Sequence, residues 1–441
     1  MKQQAIYKGS ETASRFRKIT RWPLRILVCI GILAVVAPLI ANELPLYVNY
    51  KGHTLFPVFA PGRSIEIIDP VTGVTERIQY DIADWKRIGA SSIIFPPVPY
   101  SPGKSDLLNS DYAPPAGPQF FETKDGEIVP VPTRFRHWLG TGKTGDDVLA
   151  GLLHGTRVSF TVGMMAMLIA SVIGIAIGSV AGYYGDYSIK IRRGEMAGLI
   201  AGILPAWFYG FVVRKYNISD ATERSLPEGM VQIFFSVLIS ILILFLFFRF
   251  SRIFRSINWL EHKIPLPVDS IFSRIIEIFI SLPRLLLIIT LAAVTKPSFM
   301  NLVLIIGFTA WTDIARLTRA EFLRSRELDY ITAARALGFS NARIIFRHAL
   351  PNGIGPVLVT VAFGAAAAIL SESGLSFLGI GVPQDVVTWG SLLAAGKENV
   401  NAWWLIVFPG LAVFTTVMIY NLLGEGLRKA LQPAERIIQR P

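Results

Sequence analysis

The segment from Gly140 to Thr144, with the sequence GTGKT, is the first candidate for chemistry, because it matches the end of a loop that binds nucleotide phosphates. The full signature requires a glycine five positions before Gly142, and His137 occupies that position. The segment also precedes no run typical of a buried parallel strand. The pattern therefore predicts that this chain is not itself an ATPase.

Metal and nucleophilic chemistry find little support in the residue counts. The five histidines are scattered, with no pair four residues apart that would hold a metal on one helix face. The single cysteine, Cys29, excludes an internal disulfide, a cysteine zinc site and an iron–sulfur cluster. Motifs of serine hydrolases and zinc proteases are also missing. We expect no enzymatic activity and no cofactor in this chain.

Ionisable residues inside the apolar segments are few. Arg284 and Asp313 lie near the ends of two such segments, and Glu372 lies at the end of a third. A charge near the centre of a bilayer is costly and marks a functional site, whereas charges at the ends of spans also serve as anchors. Two interpretations stay open for these three residues: anchors, or parts of a substrate pathway.

The elements that must position these residues are membrane spans. Of the 441 residues, 52% are hydrophobic and 17% are charged, against about 25% charged residues in an ordinary soluble domain. About 20 apolar helical residues cross a bilayer. Eight segments come near that length, and they predict an all-α membrane domain. These segments are 24–42, 158–181, 196–213, 230–250, 275–294, 302–317, 353–372 and 402–424.

The basic residues predict the orientation of these spans. Lysines and arginines are concentrated before the first span and in every second loop after it, whereas the opposite loops carry few. Basic residues favour the cytoplasmic side, so both termini should be cytoplasmic. The net charge of +12 is then a topological signal and not a sign of nucleic-acid binding. The first span is too long for a cleaved signal peptide and lacks a small-residue cleavage site, which favours an uncleaved anchor.

The segment between the first two spans, 43–157, is the one large part outside the membrane. It is rich in proline and glycine and has weak periodicity, which predicts a small irregular domain. Residues 64–68 alternate in the way that is typical of a strand.

Three glycines in the second span, Gly174, Gly178 and Gly182, are four residues apart and share one helix face. Small residues at this spacing let two helix backbones approach closely. They predict a packing face, either within the chain or against a partner.

The cytoplasmic stretch 329–351 predicts two short helices that meet at Gly338. Glycine ends a helix in the left-handed conformation, Ser340 or Asn341 can cap the second helix, and Pro351 would stop it near Ala349. Two interpretations stay open for the apolar positions of this loop: docking into the groove of a partner, or packing on neighbouring parts of the same chain.

This stretch resembles the coupling-helix signature of ABC importer permeases. Ala333, Ala334, Gly338, Leu350 and Pro351 match the signature position by position. The glutamate that is usual in the family is replaced by threonine, at position 332. The resemblance implies a surface that contacts the ATPase subunits, with arginines as polar contacts. The implied coupling residues are Thr332, Ala333, Ala334, Arg335, Gly338, Arg343, Leu350 and Pro351.

Further blocks resemble the C-type subunit of dipeptide, oligopeptide and nickel importers. The first runs from Gly140 to Ser159, with Gly142 and Asp146 departing from the usual residues, and the second runs from Glu372 to Val382. The start of the outer segment and residues 396–399 are similar to the microcin-C-type peptide permease branch.

The resemblance implies a type I ABC importer membrane domain with six family helices, so residues 188–268 are an inserted two-helix hairpin. It also implies a homologous second permease, two cytoplasmic ATPases that bind ATP and Mg, an outer substrate-binding protein, and a location in the bacterial cytoplasmic membrane. A nickel or metal-chelate importer is the nearest alternative, and a channel or scaffold without an ATPase is the alternative from another class. The predicted domains are a basic tail (1–23), a first transmembrane helix (24–42), the outer segment (43–157), a second transmembrane helix (158–187), the hairpin (188–268), a core (269–425) with coupling helices at 329–351, and a cytoplasmic tail (426–441).

Overall fold

A computed structural model describes residues 2–68, 75–123, 125–256, 258–383 and 385–431. Most of the described chain is helical. Its α-helices are α1 (Lys2–Ile40), α2 (Val148–Tyr184), α3 (Arg193–Trp207), α4 (Lys215–Arg224), α5 (Leu226–Phe250), α6 (Asn258–Glu261), α7 (Val268–Ser281), α8 (Arg284–Val294), α9 (Phe299–Ser325), α10 (Asp329–Ala336), α11 (Asn341–Ile344), α12 (Leu350–Phe377), α13 (Trp389–Glu398) and α14 (Trp404–Leu431).

Strands are short and lie in the outer segment and at the base of the hairpin. They are β1 (Tyr47–Tyr50), β2 (His53–Leu55), β3 (Ser64–Ile68), β4 (Thr75–Gln79), β5 (Ser92–Ile94), β6 (Phe120–Glu122), β7 (Ile128–Pro130), β8 (Lys190–Arg192) and β9 (Lys263–Pro265).

The chain divides into two compact units. One contains residues 2–21, 163–368 and 421–431, and the other contains residues 22–162 and 369–420. Each unit therefore combines segments that are far apart in sequence. The C-terminal part of the predicted tail, residues 432–441, lies outside the described residues.

Seven helices of the described chain are long and apolar enough to cross a membrane. Seven of the eight predicted spans fall on them, which confirms those predictions. The seven are Arg21–Ile40, Val148–Tyr184, Arg193–Val212, Pro227–Ile253, Phe299–Ser325, Asn341–Phe377 and Trp404–Leu431.

The eighth predicted span, 275–294, is not one straight helix. It belongs to the pair α7 and α8, which meet at an angle of 79°. Leu282 has an extended backbone, with ψ of 129°, and Pro283 follows it. A proline disfavours helical geometry in the preceding residue and has no N–H for the helix ladder, so the span breaks here.

Two of the predicted helices were also too short. The second transmembrane helix begins at Val148 and not at residue 158, and α9 continues to Ser325, well beyond residue 317. Hydropathy marks only the apolar part of a helix, whereas hydrogen bonding continues through its polar turns.

The outer segment is more regular than predicted. Strands β2, β1 and β5 form an antiparallel sheet, and β3 pairs with β4 and β6 with β7 as hairpins. Strand β3 coincides with the predicted strand, residues 64–68. Buried side chains from these strands and the following loop form one core, which includes Val48, Ile67, Ile78, Trp85 and Phe95.

The segment 188–268, which the resemblance implies to be an insertion, forms a hairpin of α3 and α5. At its base β8 pairs with β9, so that Arg192 lies opposite Lys263. This pairing brings the two ends of the segment together. The apolar side chains of α5 point outward almost throughout, with only 6% of its most apolar window buried, as expected for a helix in lipid.

Candidate functional site

The loop between α9 and α12, hereafter the coupling loop (residues 329–349), turns at Gly338 as predicted. Gly338 has φ of +75°. Its N–H donates to the carbonyl of Arg335 (2.9 Å), and the N–H of Phe339 donates to the carbonyl of Ala334 (3.2 Å). These two bonds form a Schellman motif, which needs a left-handed residue and therefore favours glycine. Ser340 then caps α11 by accepting from the N–H of Arg343.

One face of the coupling loop packs on its own chain. Ile331, Ala334, Ile344 and Ile345 are buried together with Phe322 of α9. Packing on the same chain, the second interpretation, therefore holds for these four positions, whereas Phe346 of the same loop is exposed. Ala334, one of the implied coupling residues, is only 4% exposed and contributes to this buried cluster.

The opposite face of the coupling loop is open. Leu337 is 72% and Phe346 is 68% exposed. Ala333 is exposed although its neighbour Ala334 is buried, because consecutive helical residues point about 100° apart. The remaining predicted coupling residues on this face are Thr332, Arg335, Gly338, Arg343 and Pro351, and Leu350 is half-buried.

Polar groups of the coupling loop are partly occupied within the chain. The Thr332 hydroxyl donates to the backbone carbonyl of Asp329 (2.9 Å). The guanidinium of Arg335 lies 5.1 Å from the ring centre of Tyr183, and that of Arg343 lies 5.3 Å from the ring centre of Phe339. These cation–π contacts orient both arginines while leaving them exposed.

Pro351 does not stop the second helix, contrary to the prediction. Residues 345–349 form a π-helical turn, and α12 continues directly through Pro351. A local π turn relieves the steric conflict and the missing N–H of a proline within a helical run. The coupling loop is therefore joined to a transmembrane helix without an intervening flexible linker.

The three glycines of α2 pack against α9, which settles the predicted packing face as internal. A Cβ at Gly174 would lie 2.7 Å from the Cβ of Ile314, and a Cβ at Gly178 would lie 2.5 Å from the carbonyl oxygen of Ala315. A Cβ at Gly182 would lie 2.5 Å from the carbonyl oxygen of Arg319. Only glycine permits this approach of the two backbones.

Arg284 and Asp313 line one cavity of about 550 Å³. Asp313 lies near the middle of α9 and Arg284 lies at the break between α7 and α8, so both are more central than the predicted span ends. The rest of the lining is mainly apolar. It consists of Met167, Ala310, Ile314, Arg316, Leu317, Ala320, Thr360, Phe363, Gly364 and Ala367.

Glu372, for which an anchor and a pathway role both stayed open, makes structural contacts within its own chain. Its side chain is fully buried. It accepts hydrogen bonds from the hydroxyls of Ser159 (2.6 Å) and Ser376 (2.9 Å). A buried carboxylate needs such donors, and here they tie α2 to α12.

The GTGKT segment is a structural anchor. The N–H groups of Thr141, Gly142 and Gly145 all donate to carbonyls of the chain, so these amides are not free to hold a phosphate. The Thr141 hydroxyl donates to the carbonyl of Asn109 (2.7 Å), and the Thr141 carbonyl accepts from the indole of Trp404 (3.0 Å).

His137, which stands where the phosphate-loop signature requires a glycine, has a structural role. Its Nδ1 lies 2.8 Å from a carboxylate oxygen of Asp147 and its Nε2 lies 3.2 Å from one of Asp106. Burial alone would lower the pKa of His137, but the two carboxylates outweigh burial and raise it. Burial alone would raise the pKa of Asp106, but the hydrogen bonds from His137 and Asn109 outweigh burial and lower it.

This cluster predicts a pH-dependent stability of the outer segment. A raised histidine pKa stabilises the fold fully below the ordinary value of about 6.5, and the contribution is lost as the pH rises through the raised pKa. We expect His137→Gln to lower the thermal stability most at mildly acidic pH and progressively less at alkaline pH. Protease-coupled thermal unfolding of the purified protein, from about pH 5.5 to 9, measures the difference.

The control for this prediction is His53→Gln, because His53 is exposed in the same segment. Lys86 lies close by, and burial lowers its pKa to about 8, so the wild-type profile alone would not isolate His137. A difference between wild type and His137→Gln that does not change with pH would contradict the prediction.

Sequence reasoning missed two structural features: a second small-residue packing face and a long-range ion pair. Gly198, Gly202, Ala206 and Gly210 in the hairpin repeat the four-residue spacing already recognised in α2, and the three glycines meet α5 or the turn after it. Asp269 and Arg319 form an ion pair, with 2.6 Å between Arg319 Nη2 and Asp269 Oδ2. The spacing of the small residues could have revealed the packing face from the sequence. The ion pair could not be predicted in this way, because it joins residues 50 positions apart.

Comparison with known proteins agrees with this architecture. Residues 263–437 match the family described as binding-protein-dependent transport system inner membrane component. The inner membrane ABC transporter permease protein YejE of Escherichia coli is 28% identical over 429 residues, 96% of each chain. The peptidoglycan transport system permease protein YejE of Agrobacterium fabrum is 27% identical, over 93% of this chain and 89% of the relative. The dipeptide transport system permease protein DppC of Alkalihalophilus pseudofirmus is 28% identical, over 74% of this chain and 79% of the relative.

The matched segment contains the break between α7 and α8, the charged cavity residues on α9, the coupling loop and α12. These are the parts whose geometry sets this chain apart from a simple bundle of spans. The part of this chain that resembles the family of binding-protein-dependent transport system inner membrane components is therefore the segment 263–437.

Proposed function

We propose that this chain is the transmembrane permease subunit of an ATP-driven importer of peptides or peptide-like compounds. Relatives named for dipeptide and peptidoglycan transport support this cargo class, and the two that align over nearly the whole chain support the microcin-C-type branch. In this role the chain forms half of the pathway, and the cavity of Arg284 and Asp313 belongs to that half.

The observation that carries the proposal is the construction of the coupling loop. Its inner face is locked on Phe322 by buried side chains, and its outer face presents Leu337 and Phe346. A loop built this way is rigid and exposes apolar area, as a docking surface requires. Because the loop continues into α12, a movement imposed on it reaches the transmembrane helix directly.

The partners follow from this role. Two cytoplasmic ATPase subunits bind ATP and Mg and contact the coupling loop, a homologous permease completes the pathway, and an outer binding protein delivers cargo. Eight crossings, with the bent α7–α8 pair counted as one, put both termini on the same side, and the basic residues support the cytoplasm as that side. The exposed arginines at 335, 343 and 347 then face the cytoplasm. The ATPase can shift the transport equilibrium only by contacting the two states of the loop differently.

Leu337→Asp is expected to weaken ATPase binding at least about tenfold, because burial of a leucine contributes about 1.5–3 kcal/mol. The measurement is co-purification of the tagged chain in mild detergent, with the bound subunits identified and counted by mass spectrometry. Two ATPases and one different permease per wild-type chain are expected.

Leu107→Asp is the matched control, because Leu107 is 81% exposed in the outer segment and should leave ATPase recovery unchanged. Recovery of the wild type as a homo-oligomer without an ATPase would contradict the proposed function and favour a channel or scaffold.

A further inference from the structure

We infer that Arg284 binds the carboxylate of the transported peptide and is the charge-recognising residue of the cavity it shares with Asp313. This inference rests on the proposed function and adds to it the chemical class of the cargo group. The inference rests on two buried nitrogens of the Arg284 guanidinium that have no hydrogen-bond partner among the described residues.

The guanidinium of Arg284 is short of acceptors. Its Nε and Nη2 are buried, and neither has a hydrogen-bond partner among the residues that the structure describes. A buried donor without an acceptor is costly, and the cost is larger for a charged group. A carboxylate removes this cost, because its two oxygens accept two parallel bonds from a guanidinium.

The nearest negative charge on the cavity wall does not meet this need. Asp313 lies 3.7 Å from Arg316, which engages it on the same helix. Within the ion-pair distance of 4 Å, no carboxylate of the described chain reaches Arg284. The described lining thus carries two positive charges and one negative charge, so its net charge is positive.

The apolar lining of the cavity strengthens an ionic interaction between Arg284 and a carboxylate. Phe363, Ala310, Ala367 and Met167 supply apolar walls, and charge interactions are stronger where water is displaced by such groups. The volume of about 550 Å³ lies within the range of about 300–1,000 Å³ that small-ligand sites occupy. The cavity therefore accommodates the end of a peptide with its terminal carboxylate.

The test compares two tripeptides of one sequence, one with a free terminal carboxylate and one with a terminal amide. Uptake of both is measured with the complete transporter in proteoliposomes, for wild type, Arg284→Gln and the matched control Arg274→Gln. The ratio of acid uptake to amide uptake is the readout. The binding protein is the same in every sample, so its own preference cancels when a variant's ratio is divided by that of the wild type.

Arg284→Gln is expected to lower this ratio about tenfold, the size of effect that a charge-assisted hydrogen bond produces. Arg274→Gln should change it less than about twofold, since Arg274 is largely exposed, pairs with Glu277 and does not line the cavity. Arg284→Lys keeps the charge but loses the planar pair of donors, so it should restore the ratio only in part.

Equal slowing of both peptides by Arg284→Gln would overturn the inference and leave the proposed function intact. Loss of the second permease from the purified Arg284→Gln complex would also overturn it, because Arg284 would then pair with that subunit. Failure of the wild type to import either peptide, while nickel chelate is imported, would overturn both the inference and the proposed peptide function.

Discussion

Gly338→Asp is expected to abolish uptake while the chain still inserts into the membrane in normal amount. Gly338 stands at φ of +75° on the exposed side of the coupling loop, and a Cβ there meets no atom within 4 Å. The substitution therefore causes no clash inside the chain. It places a carboxylate on the surface proposed to contact the ATPase, where an unpaired charge would be buried on docking. Uptake is compared with the amount of membrane-inserted protein.

Two variants separate docking from backbone strain. Gly338→Asn has nearly the same size and also tolerates the left-handed conformation, but it lacks the charge, so it should retain part of the uptake. Gly52→Asp introduces the same residue at φ of +82° in an open turn of the outer segment and should leave uptake near the wild-type level. Normal uptake by Gly338→Asp would count heavily against the coupling role of this loop.

Gly178→Leu is expected to destabilise the transmembrane fold. Overpacking costs roughly 1–3 kcal/mol, and we expect a value at the upper end of that range. A Cβ at Gly178 would lie 2.5 Å from the carbonyl oxygen of Ala315 and 2.7 Å from the Cβ of Thr318. The obstacle includes backbone of α9, so rotation of a side chain cannot relieve it. Helices α2 and α9 must separate, and their packed glycine face is lost.

Thermal unfolding in detergent measures this effect. The matched control is Ala176→Leu, because Ala176 lies two residues away on the exposed side of the same helix. It should unfold close to the wild-type temperature. If Gly178→Leu were as stable as Ala176→Leu, the tight contact between α2 and α9 would not contribute to the fold.

Sequence reasoning succeeded where the signal is local. Seven predicted spans fall on apolar helices, because a helix in lipid must be apolar on nearly every side and over a defined length. Strand β3 followed from strict alternation over five residues. Gly338 was recognised because its type and its position after a helical pattern specify one backbone conformation.

Sequence reasoning failed where the outcome depends on what lies opposite a residue. Ala333 and Ala334 are identical in type and adjacent, yet only Ala334 meets Phe322 and Ile331 in a buried cluster. For Glu372 the sequence left an anchor and a pathway role open, and serines from two helices surround it in the structure. No property of a single residue distinguishes these cases.

The sequence by itself therefore determined the membrane class, the number and position of the apolar segments, the glycine packing face and the turn at the coupling loop. Each of these follows from composition or from spacing within one element. Only the tertiary structure decided that the glycine face packs on α9, that Arg284 and Asp313 share a cavity, and that His137 lies between Asp106 and Asp147. The physical reason is that these contacts join residues distant in sequence, and chain folding alone brings them within a few ångströms of one another.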